Sequence, residues 1–328
     1  MQILYIIGNG FDINLGLKTR YSDFYEYYQS IDSKNELIAT LKKNMTDSIV
    51  NWSDLELEFG RYTINLKTLD DFDVLYEDIV DNLADYLEAE EQKFDSNNVD
   101  VEKFLTNLHT PELYLAPGDM QDIKEFKDSR SIASWKIDIV TLNYTRTIER
   151  ILENQTKNNE IGKQRNGNSI ILRSLQHIHG YTDERTVMGV NDVSQVGQVT
   201  FHTNQEILEA LVKPNSNKSQ RHNIDKKCES NVSKAELICI FGSSIGATDN
   251  HWWHLIGEQL RKGAKLIIFS KGEEIKGRFG HKPLRAKRSI KKYFLDRADL
   301  TEKERQDFEA SIYVGVNTAM FSILSGPN

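Results

Sequence analysis

The sequence has little cysteine and no long apolar run. Its 328 residues include two cysteines, Cys228 and Cys239, which are too few for a disulfide framework or a four-cysteine zinc site. We therefore expect a reducing compartment, the cytoplasm. No apolar run approaches the ~18 residues of a membrane span, and no basic segment precedes the apolar run at the amino terminus, so neither a membrane partner nor a signal peptide is predicted.

Positive charge is also scarce. Lys and Arg together number 41 against 49 Asp and Glu, which gives a formal net charge of −8 at pH 7. A chain that is negative overall is not expected to bind nucleic acid through its overall field, although a local basic groove stays possible. The content of 39% hydrophobic and 27% charged residues is ordinary for a folded protein. A small-molecule partner fits this composition better.

The amino-terminal stretch carries the first positive signal. Ile3 to Ile7 form an unbroken apolar run, and Gly8-Asn9-Gly10 follow directly. This pattern is typical of a buried parallel strand that enters a tight turn before a helix. Glycines let a ligand approach the backbone there, and a helix start suits a phosphate, so we predict a nucleotide site. Because the third glycine of G-x-G-x-x-G is missing, a plain strand-to-helix turn stays an alternative.

Further apolar runs alternate with helical patterns along the chain, at 137–142, 170–175, 237–241 and 265–269. This alternation predicts an α/β fold: a Rossmann-like parallel sheet with helices on both faces, as a single domain over residues 1–328. Residues from about 20 to 130 show helical spacing, including a long amphipathic helix from about 70 to 94, and predict a large helical insertion after the first strand. Residues from about 213 to 234 are polar and poor in apolar side chains, which predicts a mobile connection.

Polar residues follow four of the predicted strands. They are the Gly8-Asn9-Gly10 turn, Asn143, His179, and Ser243 with Ser244. Since the carboxyl ends of parallel strands meet at one edge of a sheet, we expect these residues to share a ligand site. Each of them also has a local explanation, because Asn and Ser favour turns and a single histidine is often a packed core residue.

Several short motifs occur along the chain in a fixed order. Together they resemble the bacterial AbiH abortive-infection family over nearly the full chain: Gly8-Asn-Gly-Phe-Asp12, Gly16-Leu17, Tyr21-Ser-Asp-Phe24, Trp52-x-x-x-Glu56, Leu142-Asn-Tyr-Thr145, His179-Gly180 and Phe241-Gly-Ser-Ser-Ile-Gly-Ala-Thr-Asp249. The resemblance implies an antiphage effector.

The same landmarks are distantly similar to the sirtuin NAD-binding core. Gly8-x-Gly10-Phe11, Thr141-x-Asn143, His179-Gly180 and Gly242-Ser-Ser-Ile245 resemble, in the same order, the sirtuin motifs G-A-G-I, T-Q-N, H-G and G-T-S-L. This similarity implies that NAD is the substrate and that Asn143 and His179 are the catalytic pair. The sirtuin P-D-F-R motif and the four zinc cysteines are absent, so cleavage of NAD is expected rather than protein deacetylation.

Loss of nicotinamide from NAD leaves an oxocarbenium-like ribose, which needs a positioned hydrogen-bond partner and a base. Asn143 suits the first role and His179 the second. Asp12 either contacts the ribose or caps a helix, and Asp249 either faces the crevice or, as we slightly favour, caps its helix. The remaining residues predicted to bind NAD are Gly8, Asn9, Gly10, Phe11, Gly242, Ser243 and Ser244.

Histidine pairs at 177/179 and 251/254 have spacings that permit a metal, but they lack further ligands, so no metal is predicted. The first hypothesis is thus an antiphage effector that hydrolyses NAD to nicotinamide and ADP-ribose. A non-catalytic nucleotide-sensing or partner-binding module is the alternative, and a nuclease or nucleotide-processing enzyme is a weaker one. A phage trigger or regulatory protein and a second copy of the chain are candidate partners.

Overall fold

The computed structural model describes residues 1–153, 155–273 and 281–325. In these residues seven strands form one sheet in the order β3-β4-β2-β1-β5-β6-β7. Strand β3 runs antiparallel to β4, and every other neighbouring pair is parallel. The strands are β1 (Gln2–Ile7), β2 (Trp135–Thr141), β3 (Asn159–Lys163), β4 (Ser169–His177), β5 (Leu237–Phe241), β6 (Lys265–Ser270) and β7 (Ile312–Val316).

The Rossmann-like α/β prediction is confirmed, with two edge strands added. The predicted runs became β1, β2, β4, β5 and β6. Strand β3 was not predicted because its sequence, Asn-Glu-Ile-Gly-Lys, contains a single large apolar residue. Strand β7 was not predicted either, since glycine inside a five-residue run weakens a strand pattern.

Helices cover the sheet and fill the segment between β1 and β2. The helices are α1 (Gly10–Asn14), α2 (Tyr21–Ser30), α3 (Glu36–Asp47), α4 (Leu55–Tyr62), α5 (Leu69–Glu91), α6 (Val101–His109), α7 (Pro117–Asp128), α8 (Thr147–Ile151), α9 (Gln205–Leu211), α10 (Lys213–Gln220), α11 (Ile224–Lys234), α12 (Asn250–Arg261), α13 (His281–Leu295) and α14 (Glu302–Phe308). In the part of the chain that the structure describes, no helix has the length and apolar character needed to cross a membrane.

Strand β1 shows why the sheet lies at the centre. Ile3, Tyr5 and Ile7 pack into one hydrophobic cluster, whereas Leu4 and Ile6 pack into another. Successive side chains of a strand point to opposite faces, so an unbroken apolar run is what a sheet covered by helices on both sides requires.

The helices after β1 have a hydrophobic cluster of their own. Helix α5 begins with a capping box between Thr68 and Asp71 and turns an apolar face inward. This face packs with other helices of the segment and with residues from 188 to 212, among them Met188 and Leu211. Tyr76 of α5 stabilises this contact, because its hydroxyl donates to the carbonyl oxygens of Met188 and Ala210.

The segment 213–234 is not the polar connection that its composition predicts. It forms helices α10 and α11, and Lys213, Ser216, Cys228 and Val232 are buried. Cys228 and Val232 lie one helical turn apart and pack against the sheet. Two apolar side chains on one face are enough to seat a short helix, but they are too few to produce a visible amphipathic pattern.

Candidate functional site

The hollow lined by Asn143 and His179, called the main cavity below, lies at the point where the strand order reverses. On one side of β1 lie β2, β4 and β3, which come next in the chain. On the other side lie β5, β6 and β7, which come later. Ligands of open α/β sheets bind beyond the carboxyl ends of the strands at such a switch point. The cavity there has a volume of about 500 Å³, and its lining includes Gly8, Asn9, Asp12, Glu56, Asn143, Tyr144, Thr145, His179, Gly242, Ser243, Ser244 and Asp249.

The glycines after β1 pack against the turn after β5. A Cβ atom on Gly10 would lie 2.5 Å from the Cα of Gly242, and one on Gly8 would lie 2.7 Å from the Cα of Ser243. The N–H of Gly8 donates to the carbonyl of Phe241 at 2.9 Å, and that of Gly10 donates to the carbonyl of Gly242 at 2.7 Å. Small residues are therefore required here for contact between two turns, whereas the sequence analysis explained them by the approach of a ligand.

Two of the residues predicted to bind NAD do not line the main cavity. Phe11 is fully buried in the core, where its ring packs edge-on against Phe321 and Phe104. Gly10 lines a neighbouring hollow of about 620 Å³ beside β6 and β7. Gly242, Ser243 and Ser244 line both spaces and form the wall between them.

Asn9 lines the cavity, but its side chain already has a partner. The Asn9 amide donates to the carbonyl of Thr19 at 2.6 Å, and the Thr19 hydroxyl donates back to Asn9 Oδ1. This reciprocal pair fixes the loop between α1 and α2 at the rim of the cavity.

The turn Gly242 to Gly246 has the G-x-S-x-G spacing of a nucleophile elbow, in which a serine sits on a strained strand-to-helix turn. Here the left-handed backbone conformations fall on Gly242, with φ 66°, and on Ile245, with φ 54°, and not on Ser244. The strain of a β-branched residue at positive φ is thus stored beside the serine. The turn does not have the geometry of a serine nucleophile.

Asp12 is a buried carboxylate at the base of the cavity. Its two oxygens accept hydrogen bonds from the hydroxyls of Thr145, at 2.5 Å, and Thr147, at 2.7 Å. Burial raises the pKa of Asp12 to about 6, although both threonine hydroxyls act in the opposite direction. The alternative that Asp12 caps a helix is wrong, since Asn9 holds the N-cap position of α1 and both Asp12 oxygens accept from threonine hydroxyls.

Asn143 follows β2 and presents a buried amide to the cavity. Its backbone is held at both ends: its N–H donates to the Thr141 hydroxyl at 3.1 Å, and its carbonyl accepts from Nδ1 of His177 at 2.8 Å. Neither Oδ1 nor Nδ2 of the side chain makes a well-aligned hydrogen bond to a described residue, although the amide is near enough to Asp12 to lower the pKa of that carboxylate. Buried polar atoms are nearly always paired, so this amide keeps hydrogen-bonding capacity for a ligand.

His179 lies across the cavity and is paired with Asp249. Its Nε2 is 3.0 Å from Asp249 Oδ1, and both side chains are buried. Nε2 lies at ion-pair distance from this carboxylate without a well-aligned hydrogen bond, so the contact between the two side chains is electrostatic. Asp249 makes no side-chain cap bond at the start of α12, so the cap that we slightly favoured is wrong.

Lys213 and Glu56 complete a buried charged cluster behind His179. Lys213 Nζ is 2.8 Å from Glu56 Oε2 and 2.9 Å from Asp249 Oδ1. Burial lowers the pKa of Lys213, but Asp249 and Glu56 outweigh burial and raise it above its ordinary value. Burial favours the neutral form of Asp249, but Lys213 and His179 hold its pKa well below the usual range. The cluster is therefore charged.

His177 points away from the cavity and does not share a metal site with His179. Its Nε2 lies 2.9 Å from Glu149 Oε1, and its ring contacts that of Tyr181 at a tilt of 32°, with 4.3 Å between the ring centres. Strand β4 ends at His177, so the alternation that would put both histidines on one face does not continue to His179.

The comparison with known proteins now decides the family. Residues 4–270 match the model of the family described as bacteriophage abortive infection AbiH. The chain belongs to the AbiH family. The resemblance seen in the motifs is thereby confirmed, and family membership supports a role in antiphage abortive infection. No curated protein matches the sequence. The matched range of this AbiH protein contains all the cavity residues described above.

Sequence reasoning missed several residues of the AbiH cavity. Glu56 stood in one of the family motifs, Trp52-x-x-x-Glu56, but no role was predicted for it. Lys213 lies in the segment whose composition predicts a mobile connection, and no residue near it in the sequence indicates a buried lysine. Tyr144 was also missed; its hydroxyl donates to Glu56 at 3.3 Å and to the carbonyl of Val187 at 3.1 Å. A buried partner distant in sequence leaves no local signal.

Proposed function

We propose that this AbiH protein hydrolyses NAD to nicotinamide and ADP-ribose in the main cavity, and that loss of NAD is the step that aborts infection. The observation that carries the proposal is the Asn143 amide, which is buried, makes no well-aligned hydrogen bond to a described residue and lines the same cavity as His179. Each of the four motifs that resemble the sirtuin NAD-binding core places at least one residue in the lining of this cavity: Gly8, Asn143, His179 and Gly242. Its volume is within the range of about 300 to 1,000 Å³ common for small-molecule sites.

The chemistry divides among three side chains. The N-glycosidic bond breaks as nicotinamide leaves with the bonding electrons, and positive charge develops on the ribose. Asn143 is neutral, so it can orient a ribose hydroxyl or the attacking water without repelling the cationic nicotinamide. Asp12, whose pKa of about 6 leaves it ionised above neutral pH, stabilises the developing positive charge.

His179 acts as the base in this scheme. In this scheme the proton is on Nε2, 3.0 Å from Asp249 Oδ1, and the lone pair is on Nδ1. As water bonds to the ribose carbon, one water proton passes to Nδ1, and the imidazolium that forms is stabilised by the Asp249 carboxylate. Asp249 also holds the ring in one tautomer, as the carboxylate does in other histidine-carboxylate pairs.

The test is incubation of the purified protein with NAD, with nicotinamide and ADP-ribose followed by chromatography. We expect product from the wild type and a loss of roughly 10²-fold or more in rate for Asn143→Ala and for His179→Ala. Asn215→Ala and His222→Ala change the same residue types at exposed positions and should keep the wild-type rate.

Failure of the wild type to form product would overturn the hydrolase proposal. NAD binding, measured by calorimetry, then separates the alternatives. Binding without turnover, lost in Asn143→Ala, favours the nucleotide-sensing module. Salt-dependent binding of DNA or RNA in place of NAD favours the nucleic-acid-processing alternative.

A further inference from the structure

Lys213 is a buried lysine between two buried carboxylates. Glu56 Oε2 and Asp249 Oδ1 both lie within 2.9 Å of its Nζ. His179 Nε2 lies 3.0 Å from the same Asp249 oxygen that Lys213 contacts. Asp249 Oδ1 is thus the atom through which Lys213 acts on His179.

The three charged residues come from three separate parts of the chain. Glu56 is on α4 of the helical segment between β1 and β2, Lys213 is the first residue of α10, and Asp249 precedes α12. Glu56 is fixed through Oε1, which accepts from the Tyr144 hydroxyl and from the Gly189 N–H, both at 3.3 Å. The backbone of Lys213 is fixed too, since its N–H donates to the Val190 carbonyl at 2.9 Å.

Removal of Lys213 would take away the ammonium group that neutralises the Asp249 carboxylate. Asp249 Oδ1 contacts His179 and Lys213, and the Lys213 ammonium lies between Asp249 and Glu56. Asp54, the N-cap residue of α4, is near enough to interact with Glu56, Lys213 and Asp249. Without the ammonium, Glu56 and Asp249 are two carboxylates in one buried space. Carboxylates in that position share a proton, and a protonated Asp249 no longer holds the His179 N–H.

We infer that Lys213 is a positioning residue, which keeps Asp249 ionised against His179 and uses Glu56 of the helical segment to do so. Movement of α4 would therefore alter the base through Glu56 and Lys213. This links the helical segment to control of the reaction. The inference rests on the proposed function for its kinetic readout, but not for its structural one.

The experiment compares kcat and KM for NAD across pH 5 to 9 in Lys213→Met, in Glu56→Gln/Lys213→Met and in Lys218→Met. Lys218 lies on the exposed side of the same helix and serves as the control. We expect Lys213→Met to lower kcat by about 100-fold with little change in KM, because the base is misplaced while the cavity lining is intact. The acid limb of kcat should move to higher pH, since the cation that lowers the Asp249 pKa is gone.

The double variant distinguishes positioning from general loss of structure. Glu56→Gln removes the competing carboxylate, so the double variant should recover about 10-fold of the lost kcat, and its acid limb should move back toward lower pH. The double variant also allows the test if Lys213→Met alone fails to fold, because it buries one carboxylate without its lysine partner instead of two. A double variant no better than the single one, or a folded Lys213→Met with wild-type kcat, overturns the inference.

A readout independent of turnover is the NMR signal of the proton on His179 Nε2. We expect it to be present in the wild type, lost in Lys213→Met and restored in the double variant. If the wild type forms no nicotinamide but these signals follow the expected order, the hydrolase proposal fails and the positioning role stands. If nicotinamide forms and neither kinetics nor NMR responds to Lys213→Met, the positioning role fails alone.

Discussion

Gly10 and Gly242 approach each other so closely that neither position has room for a side chain. A Cβ on Gly10 would lie 2.5 Å from Gly242 Cα, and a Cβ on Gly242 would lie 2.7 Å from Gly10 Cα. The contact joins the turn after β1 to the turn after β5, on the two sides of the point where strand order reverses. The wall between the two hollows of the site depends on this contact.

Gly10→Ala should therefore destabilise the protein by about 1 to 3 kcal/mol, because overpacking forces backbone to move against backbone. The measurement is the free energy of unfolding in urea. Gly118→Ala is the matched control: a Cβ there has no heavy atom within 4 Å, so no loss of stability is expected. Equal stability of Gly10→Ala and the wild type would show that the two turns separate easily.

Asp12→Asn should raise the stability of the protein at neutral pH. Since burial raises the pKa of Asp12 from 3.8 to about 6, the folded protein binds this proton more tightly than the unfolded chain does. The free energy of unfolding then falls as the pH rises from about 4 to about 6, by about 3 kcal/mol in total. The variant has no such proton, so it should be more stable than the wild type at pH 7.5, and the difference should vanish below pH 4.

Unfolding midpoints measured at pH 4 and pH 7.5 check the Asp12 prediction. Asp85→Asn, at an exposed position of α5, provides the comparison and should show no pH-dependent gain. A wild type whose stability is flat between pH 4 and pH 7 would mean that Asp12 is not held in an unfavourable ionised state. If the proposed function is correct, Asp12→Asn should also lose activity while it gains stability.

Lys127→Met should be strongly destabilising, although Lys127 does not line the cavity. Lys127 is buried and its Nζ lies 2.6 Å from both oxygens of the buried Glu112, with a further bond to the His109 carbonyl at 2.7 Å. Removal of one partner leaves an uncompensated buried charge, and the expected loss is about 3 to 5 kcal/mol. Urea denaturation measures it.

Two further variants test the cause of the Lys127 effect. Glu112→Gln/Lys127→Met removes both charges and should recover most of the lost stability, whereas Lys124→Met on the same helix should leave stability within about 0.5 kcal/mol of the wild type. A double variant as unstable as Lys127→Met would assign the loss to packing around the lysine stem and not to charge.

Elements of the fold could be predicted from the sequence where neighbouring residues carry a clear hydrophobic pattern. Strands β1, β2, β4, β5 and β6 carry apolar runs, and α5 carries a periodic face with a capping box, so their existence and type were predicted correctly. Helices α10 and α11 were not predicted, because their stability comes from a few side chains buried against the sheet. Strand β3 is polar and is held by its hydrogen bonds to β4.

The candidate site divides in the same way. The sequence by itself determined the α/β class, the family, and the strand ends after which Asn143, His179 and Asp249 stand, since apolar periodicity and short motifs are properties of neighbouring residues. Only the tertiary structure decided which atoms those residues meet. Asp249 holds His179 and not a helix start, Phe11 lies in the core, and Lys213 reaches Glu56 across 157 positions of the chain. Burial and pairing of charges are set by what folding brings together, and that information is spread over the whole chain.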